Sequence, residues 1–143
     1  MTEHKHKASY VGAPAVFRLE MACQHIRDAF DGEGHFGCYL VGSALERPDW
    51  QDVDVRMIMD DDAFAAMFPS AHLFSSAWQI DPKWLLLTTA ISAWLRDQTG
   101  LPVDFQFQPQ TFANAHHKGR RSSLGNRVEP RGDDASVNDT GEK

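Results

Sequence analysis

The chain has only two cysteines in 143 residues, Cys23 and Cys38. They lack the short paired spacing of a metal motif. Each sits in an apolar segment, one helical in pattern and one strand-like, so buried free thiols in a reducing compartment are expected. No apolar run approaches the ~18–20 residues of a membrane span, and the polar N-terminus has no signal-peptide core. The expected location is the cytoplasm, or a host's cytoplasm. Positive charge is also scarce. Fourteen Lys and Arg stand against 20 Asp and Glu, a net charge of −6. That balance argues against general affinity for nucleic acid or an anionic membrane. It leaves room for a nucleotide held through a metal and a local basic patch. Hydrophobic residues make up 42% of the chain, enough at this length for one core in one domain.

The stretch from Cys38 to Met59 organises the rest. It reads as a strand, a Gly42-Ser43 turn, a polar loop and a second strand. The second strand opens on Asp52-Val53-Asp54-Val55. Side chains alternate along a strand, so both carboxylates point to one face while Val53, Val55 and Met57 point to the core. Aspartate is a poor strand former. Two like charges roughly 6–7 Å apart repel by about 2–3 kcal/mol at an effective dielectric of 20. A divalent cation is the simplest offset. Arg56 lies two residues past Asp54 on the same face. It serves either as a structural partner for an aspartate or as a contact for substrate phosphate, and the sequence leaves both open.

A third acid follows in a similar setting. In Leu101–Pro109, Val103, Phe105 and Phe107 alternate with Asp104, Gln106 and Gln108, the pattern of a half-buried strand. If this strand lies beside the first acidic one, Asp104 joins Asp52 and Asp54 on one open face. Ahead of them, Gly42 permits close approach of backbone to a ligand, and the N–H groups of such a turn favour an anion. Three carboxylates behind a Gly-Ser turn suggest phosphate chemistry with magnesium.

These residues, over roughly Phe36 to Pro109, carry a resemblance. A hydrophobic strand into Gly42-Ser43, an acid-hydrophobic-acid strand at Asp52-Val53-Asp54, and a third acid at Val103-Asp104-Phe105 resemble the DNA polymerase beta-type nucleotidyltransferase superfamily. The length is similar to that of its minimal members in prokaryotes and their phages. The resemblance implies an α/β fold, a small mixed twisted sheet with helices packed on one face. It also implies transfer of a nucleoside monophosphate from a nucleoside triphosphate (NTP) to an acceptor hydroxyl, with release of pyrophosphate. Asp52 and Asp54 would bridge two Mg2+ ions, with Asp104 completing the second site or acting as general base, and Gly42 and Ser43 would hold the triphosphate. The acceptor is open: RNA, protein or small molecule. Larger members add a helical domain for it, and little folded chain is expected here after Pro109. A partner protein, a second subunit or the segment Pro69–Ile80 takes that role instead. Rival readings are an inactive nucleotide-binding or interaction module, a metal-dependent nuclease, and acids that are merely solvated surface.

The flanks are simpler. Residues 1–12 read as a flexible N-terminus, His4 and His6 included. Residues 13–117 form the domain, and 118–143 read as a disordered tail poor in apolar residues. Helices are expected over Pro14–Phe30, from the spacing of Val16, Leu19, Cys23, Ile26 and Phe30, and over Lys83–Thr99. The second has an Asp81-Pro82 start and a Gly100 stop. Its apolar circumference is wider than one sheet needs, which favours deep burial, with a homodimer contact as the lesser reading. Asp60-Asp61-Asp62 reads as the cap of a short helix through Phe68. His116–Arg121 is a basic cluster, read as solvated tail, with triphosphate or RNA binding as the alternative.

Overall fold

Strand β1 (Phe36–Val41) runs antiparallel to β2 (Val53–Met59), β2 runs parallel to β3 (Val103–Pro109), and a short strand β4 (Ser122–Leu124) pairs antiparallel with β1. The result, in a computed structural model describing residues 9–30, 36–71 and 76–125, is one mixed sheet in the order β3-β2-β1-β4. Helices α1 (Ala15–Phe30), α2 (Ser43–Glu46), α3 (Asp61–Met67), α4 (Pro82–Thr99) and α5 (Gln110–His116) pack against it, with a 3-10 segment over Ser76–Ile80. The protein is thus an α/β fold, as its sequence patterning predicts. Among the described residues no helix is long and apolar enough to cross a membrane.

The period-two pattern fixes which side of the sheet is dry. Val53, Val55, Met57 and Met59 of β2 are fully buried, beside Val103, Phe105 and Phe107 of β3 and Cys38 and Leu40 of β1. Each such side chain contributes roughly 1.5–3 kcal/mol on burial. From α1, Leu19, Ala22, Cys23 and Ile26 close this layer. Cys23 and Cys38 are both buried free thiols, as expected. The Cys23 thiol is pushed well up by its hydrogen bond with Cys38 and then by burial, so it stays protonated and inert.

Helix α4 departs from its expected pattern in an instructive way. Its buried stripe is Trp84, Thr88, Ser92, Leu95 and Thr99, whereas Leu85, Leu86 and Trp94 are exposed. The reason is the sheet edge. Strand β3 is an edge strand, whose outward N–H and C=O groups need partners. The Phe105 N–H donates to Ser92 Oγ at 2.9 Å, Trp84 Nε1 donates to the Phe107 carbonyl at 2.8 Å, and Arg96 Nε donates to the Val103 carbonyl at 3.0 Å. Trp84, Ser92 and Arg96 of α4 therefore stand in for a missing fifth strand. Ser92→Ala leaves the Phe105 amide without its partner, and a loss of about 1–2 kcal/mol in urea unfolding is expected.

Capping follows the sequence. Asp81 Oδ2 accepts the Trp84 N–H at 3.0 Å, Gly100 ends α4 at φ 73°, and Asp60 Oδ1 accepts the Ala63 N–H at 2.9 Å. Asp61 instead reaches across to α5, taking the Thr111 N–H at 3.1 Å and its hydroxyl.

Three expectations are corrected. Residues 9–12 are not a loose terminus. Ser9 and Val11 are buried, and the Tyr10 N–H donates to the Ala44 carbonyl at 2.8 Å. The domain does not end at His117, because Ser122–Leu124 supplies β4; residues 126–143 of the expected tail lie outside the described residues. Trp78 is buried within a group of aromatic rings, 5.5 Å from Phe64, 5.3 Å from Trp84 and 4.9 Å from Phe112, so this part of Pro69–Ile80 is anchored in the core. Residues 72–75 of that segment lie outside the described residues, as do His4 and His6.

Candidate functional site

Parallel pairing sets Asp54 directly beside Asp104, and antiparallel pairing sets it beside Val41, the last residue of β1 before Gly42. Cross-strand partners share a face, so Asp54 and Asp104 stand together on the side opposite the core layer. Their strands are about 4.8 Å apart. The expected neighbourhood of the first acidic strand and Asp104 is therefore present. Asp52 precedes β2 by one residue and is exposed. Among the described residues no group of three His, Cys, Asp or Glu side chains is gathered closely enough to hold a metal ion.

Arg56 answers the question of charge. Its Nη2 lies 3.1 Å from Asp104 Oδ2 and 3.9 Å from Asp54 Oδ1. Its Nη1 donates to the carbonyls of Asp104 at 2.7 Å and Val55 at 3.1 Å. The residue is 8% exposed. Between Asp54 and Asp104 the balancing charge is a guanidinium from the next outward position of the Asp54 strand. Of the two roles open to Arg56, the structure shows the ion pair with an aspartate. Asp54 still feels its setting: burial raises its carboxyl above the usual range, Arg56 opposes, and the charges of Asp104 and Asp52 add to the rise.

Gly42 is required at its position for two reasons. Its φ of 81° with ψ of −154° is a conformation that essentially only glycine adopts. A Cβ there would also run into the Asp54 carboxylate. The turn and the acid are thus built as one unit. Ser43 opens α2, whose Ala44 and Leu45 are buried. Arg47 pairs with Asp49 at 3.3 Å in the exposed loop, a contact of little energetic weight.

The basic segment after α5 is folded over the same side of the sheet, against the expectation of a solvated tail. His117 Nε2 lies 3.0 Å from Gln108 Oε1, and Gln108 Nε2 donates to Gln106 Oε1 at 3.0 Å. Since Gln108 spends its amide N–H on Gln106, its carbonyl accepts and His117 Nε2 carries the proton. The Arg121 guanidinium sits 6.0 Å from the centre of the Tyr39 ring and donates to the carbonyls of His117 and Ala113. Arg120 donates to the Leu45 carbonyl at 2.9 Å. The sequence hinted at this segment only through its charge. What brings it back is β4, too short and polar to stand out as a strand.

Burial, with Arg56, Arg121 and His116 adding, lowers the His117 pKa from its ordinary 6.5. The folded protein then binds fewer protons than the unfolded chain between the lowered value and 6.5. His117 stabilises fully above 6.5, and that contribution falls away as pH drops through the window. Urea unfolding is expected to show lower stability at pH 5.5 than at 7.5, and His117→Gln is expected to reduce that difference.

Comparison with protein-family profiles, with curated proteins and with solved structures returns no match to this chain.

Proposed function

We propose that this chain is a metal-dependent nucleotidyltransferase, similar to minimal members of the DNA polymerase beta-type superfamily. It would move a nucleoside monophosphate from a triphosphate to an acceptor hydroxyl and release pyrophosphate. The observation that carries this reading is the register of Asp54 against Asp104, with Gly42 packed on the Asp54 carboxylate. A strand, a Gly-Ser turn, one helical turn, an acidic strand and a third acid on its parallel neighbour follow the order of the family pattern.

Magnesium suits carboxylate donors in kind, while in this structure Asp52, Asp54 and Asp104 do not gather into a three-ligand group. Carboxylate oxygens are hard ligands, and the pair already holds a cation, the Arg56 guanidinium. Asp52, Asp54 and Asp104 would hold the Mg2+ ions. When bound, such ions supply charge neutralisation at the transferring phosphoryl group and lower the pKa of the acceptor hydroxyl. The remaining work falls to the chain. Gly42 lets the backbone approach the triphosphate without a side chain in the way, and the Ser43 hydroxyl offers a hydrogen bond to it. Asp104, whose side chain is 47% exposed, would complete the second metal site or take the proton of the acceptor hydroxyl. Ile80, Leu85, Leu86 and Trp94 are exposed, an apolar set available to a second copy or a helical partner that presents the acceptor.

The experiment is incubation of the protein with α-labelled triphosphates, magnesium and candidate acceptors: RNA, host proteins and small hydroxyl compounds. Transfer of label with release of pyrophosphate supports the reading. A second reading, an inactive nucleotide-binding or interaction module, is favoured by the Arg56–Asp104 ion pair, which satisfies the acids without metal. It expects nucleotide binding with no release. Strand cleavage without pyrophosphate would instead indicate a nuclease.

A further inference from the structure

We infer that Arg121 and His117, on the segment folded over the open face of the sheet, form a binding site for a phosphate group. The site uses neither the aspartates nor a metal ion, so it stands apart from the nucleotidyl-transfer reading.

His116–Arg121 carries five basic side chains in six residues and no acid. Among the described residues, no ion pair involves Arg121 or His117. Arg121 is held in place without being used up. Its Nε donates to the His117 carbonyl at 3.2 Å, and its Nη2 donates to the Ala113 carbonyl at 3.2 Å and to Asn114 Oδ1 at 3.0 Å. The Tyr39 ring, its centre 6.0 Å from the guanidinium, braces it from the sheet. Nη1 takes part in none of these bonds, and it is not among the buried unpaired atoms. Its N–H groups are therefore open to solvent, a fixed donor suited to an anionic oxygen.

His117 supplies the complement. Its Nε2 proton goes to Gln108 Oε1. That leaves the Nδ1 lone pair as an acceptor, unburied and without a partner among the described residues. The charged groups acting on the ring are Arg56 of β2, Arg121 and His116, all basic, and with burial they favour its neutral form. A ligand for this pair must offer an acceptor oxygen to Arg121 and a proton to His117. A carboxylate has no proton to offer at neutral pH. A phosphate group does, since its second pKa is about 6. Once bound, it shares one proton with Nδ1, and its negative charge offsets the basic neighbours of the ring.

The test follows the titration of the His117 ring by NMR in the full chain, with His117→Gln identifying its resonance. Chloride, acetate, inorganic phosphate and glycerol phosphate are compared at matched ionic strength. Phosphate is expected to raise the proton affinity of His117 about tenfold over chloride, and acetate is expected to leave it unchanged. An equal rise with glycerol phosphate makes the phosphate of a substrate the ligand. A rise with inorganic phosphate alone makes it the free ion, and either result supports the site. In folded Arg121→Gln the rise is expected to vanish. No rise with either phosphate, or an equal rise with acetate, overturns the inference on the wild type alone, whether or not Arg121→Gln folds. A rise that persists in folded Arg121→Gln also overturns it. The aspartates take no part in this readout, so either outcome leaves the proposed function where it stands.

Discussion

Asp54→Asn is expected to reduce nucleotidyl transfer by about a thousandfold or more while leaving the protein folded. Asp54 is the acid on which the site converges. It lies in register with Asp104, beneath the Gly42 turn and 3.9 Å from Arg56. An amide keeps its shape and removes the charge that a metal ion needs. Stability should move the other way. Burial, opposed by Arg56, raises the Asp54 carboxyl above its ordinary value of 3.8. The folded state then binds more protons than the unfolded chain between 3.8 and the raised value. Wild-type stability falls as pH rises through that window, and the penalty is complete above it. Asparagine carries no such penalty. Thermal melts at neutral pH should show the variant equal to or slightly more stable than wild type, and the gap should close as the pH is lowered toward 3.8. The gain is modest, because a side chain 26% exposed is partly solvated. A folded Asp54→Asn protein with full activity would remove the metal site from the mechanism.

Gly42→Ala is expected to damage fold and site together. The backbone conformation at φ 81° and ψ −154° is strained for any L side chain, and the new methyl group overlaps the Asp54 carboxylate. Strain and overpacking sum to about 3 kcal/mol. To relieve them, either the turn opens or Asp54 leaves its position beside Asp104. Both routes end nucleotide binding. Urea unfolding and nucleotide titration on the same preparation separate the two effects. Gly100→Ala is a useful reference, since it too has a positive φ, 73°, but a Cβ there meets nothing within 4 Å. It should lose stability from backbone strain alone and keep its binding.

Much of this arrangement is legible in the sequence because it depends on local periodicity. Alternation in Val53–Met59 and Val103–Pro109 identifies both strands, their dry faces and their acids. Asp81-Pro82 and Gly100 bound α4 because caps are chemistry of single residues. What escapes the sequence is set by pairing across distance. Nothing local says that Arg56 will be held by the Asp104 carbonyl, 48 residues away. Ser92 of α4 is buried against the edge strand β3, whose Phe105 amide it serves, a fact of sheet order and not of helix pattern. Ser122–Leu124 is three residues of strand, too short for a periodic signal. Its pairing with β1 turns an apparent basic tail into a cover for Gln108 and Tyr39.

The most direct measurement of the central claim is calorimetric titration of a nonhydrolysable nucleoside triphosphate into the protein, with and without Mg2+, beside the Asp52→Asn/Asp54→Asn variant. Binding that requires both the metal and the aspartates is the predicted result. No binding of any of the four common triphosphates, or binding that persists unchanged without Mg2+ and in the variant, would contradict it.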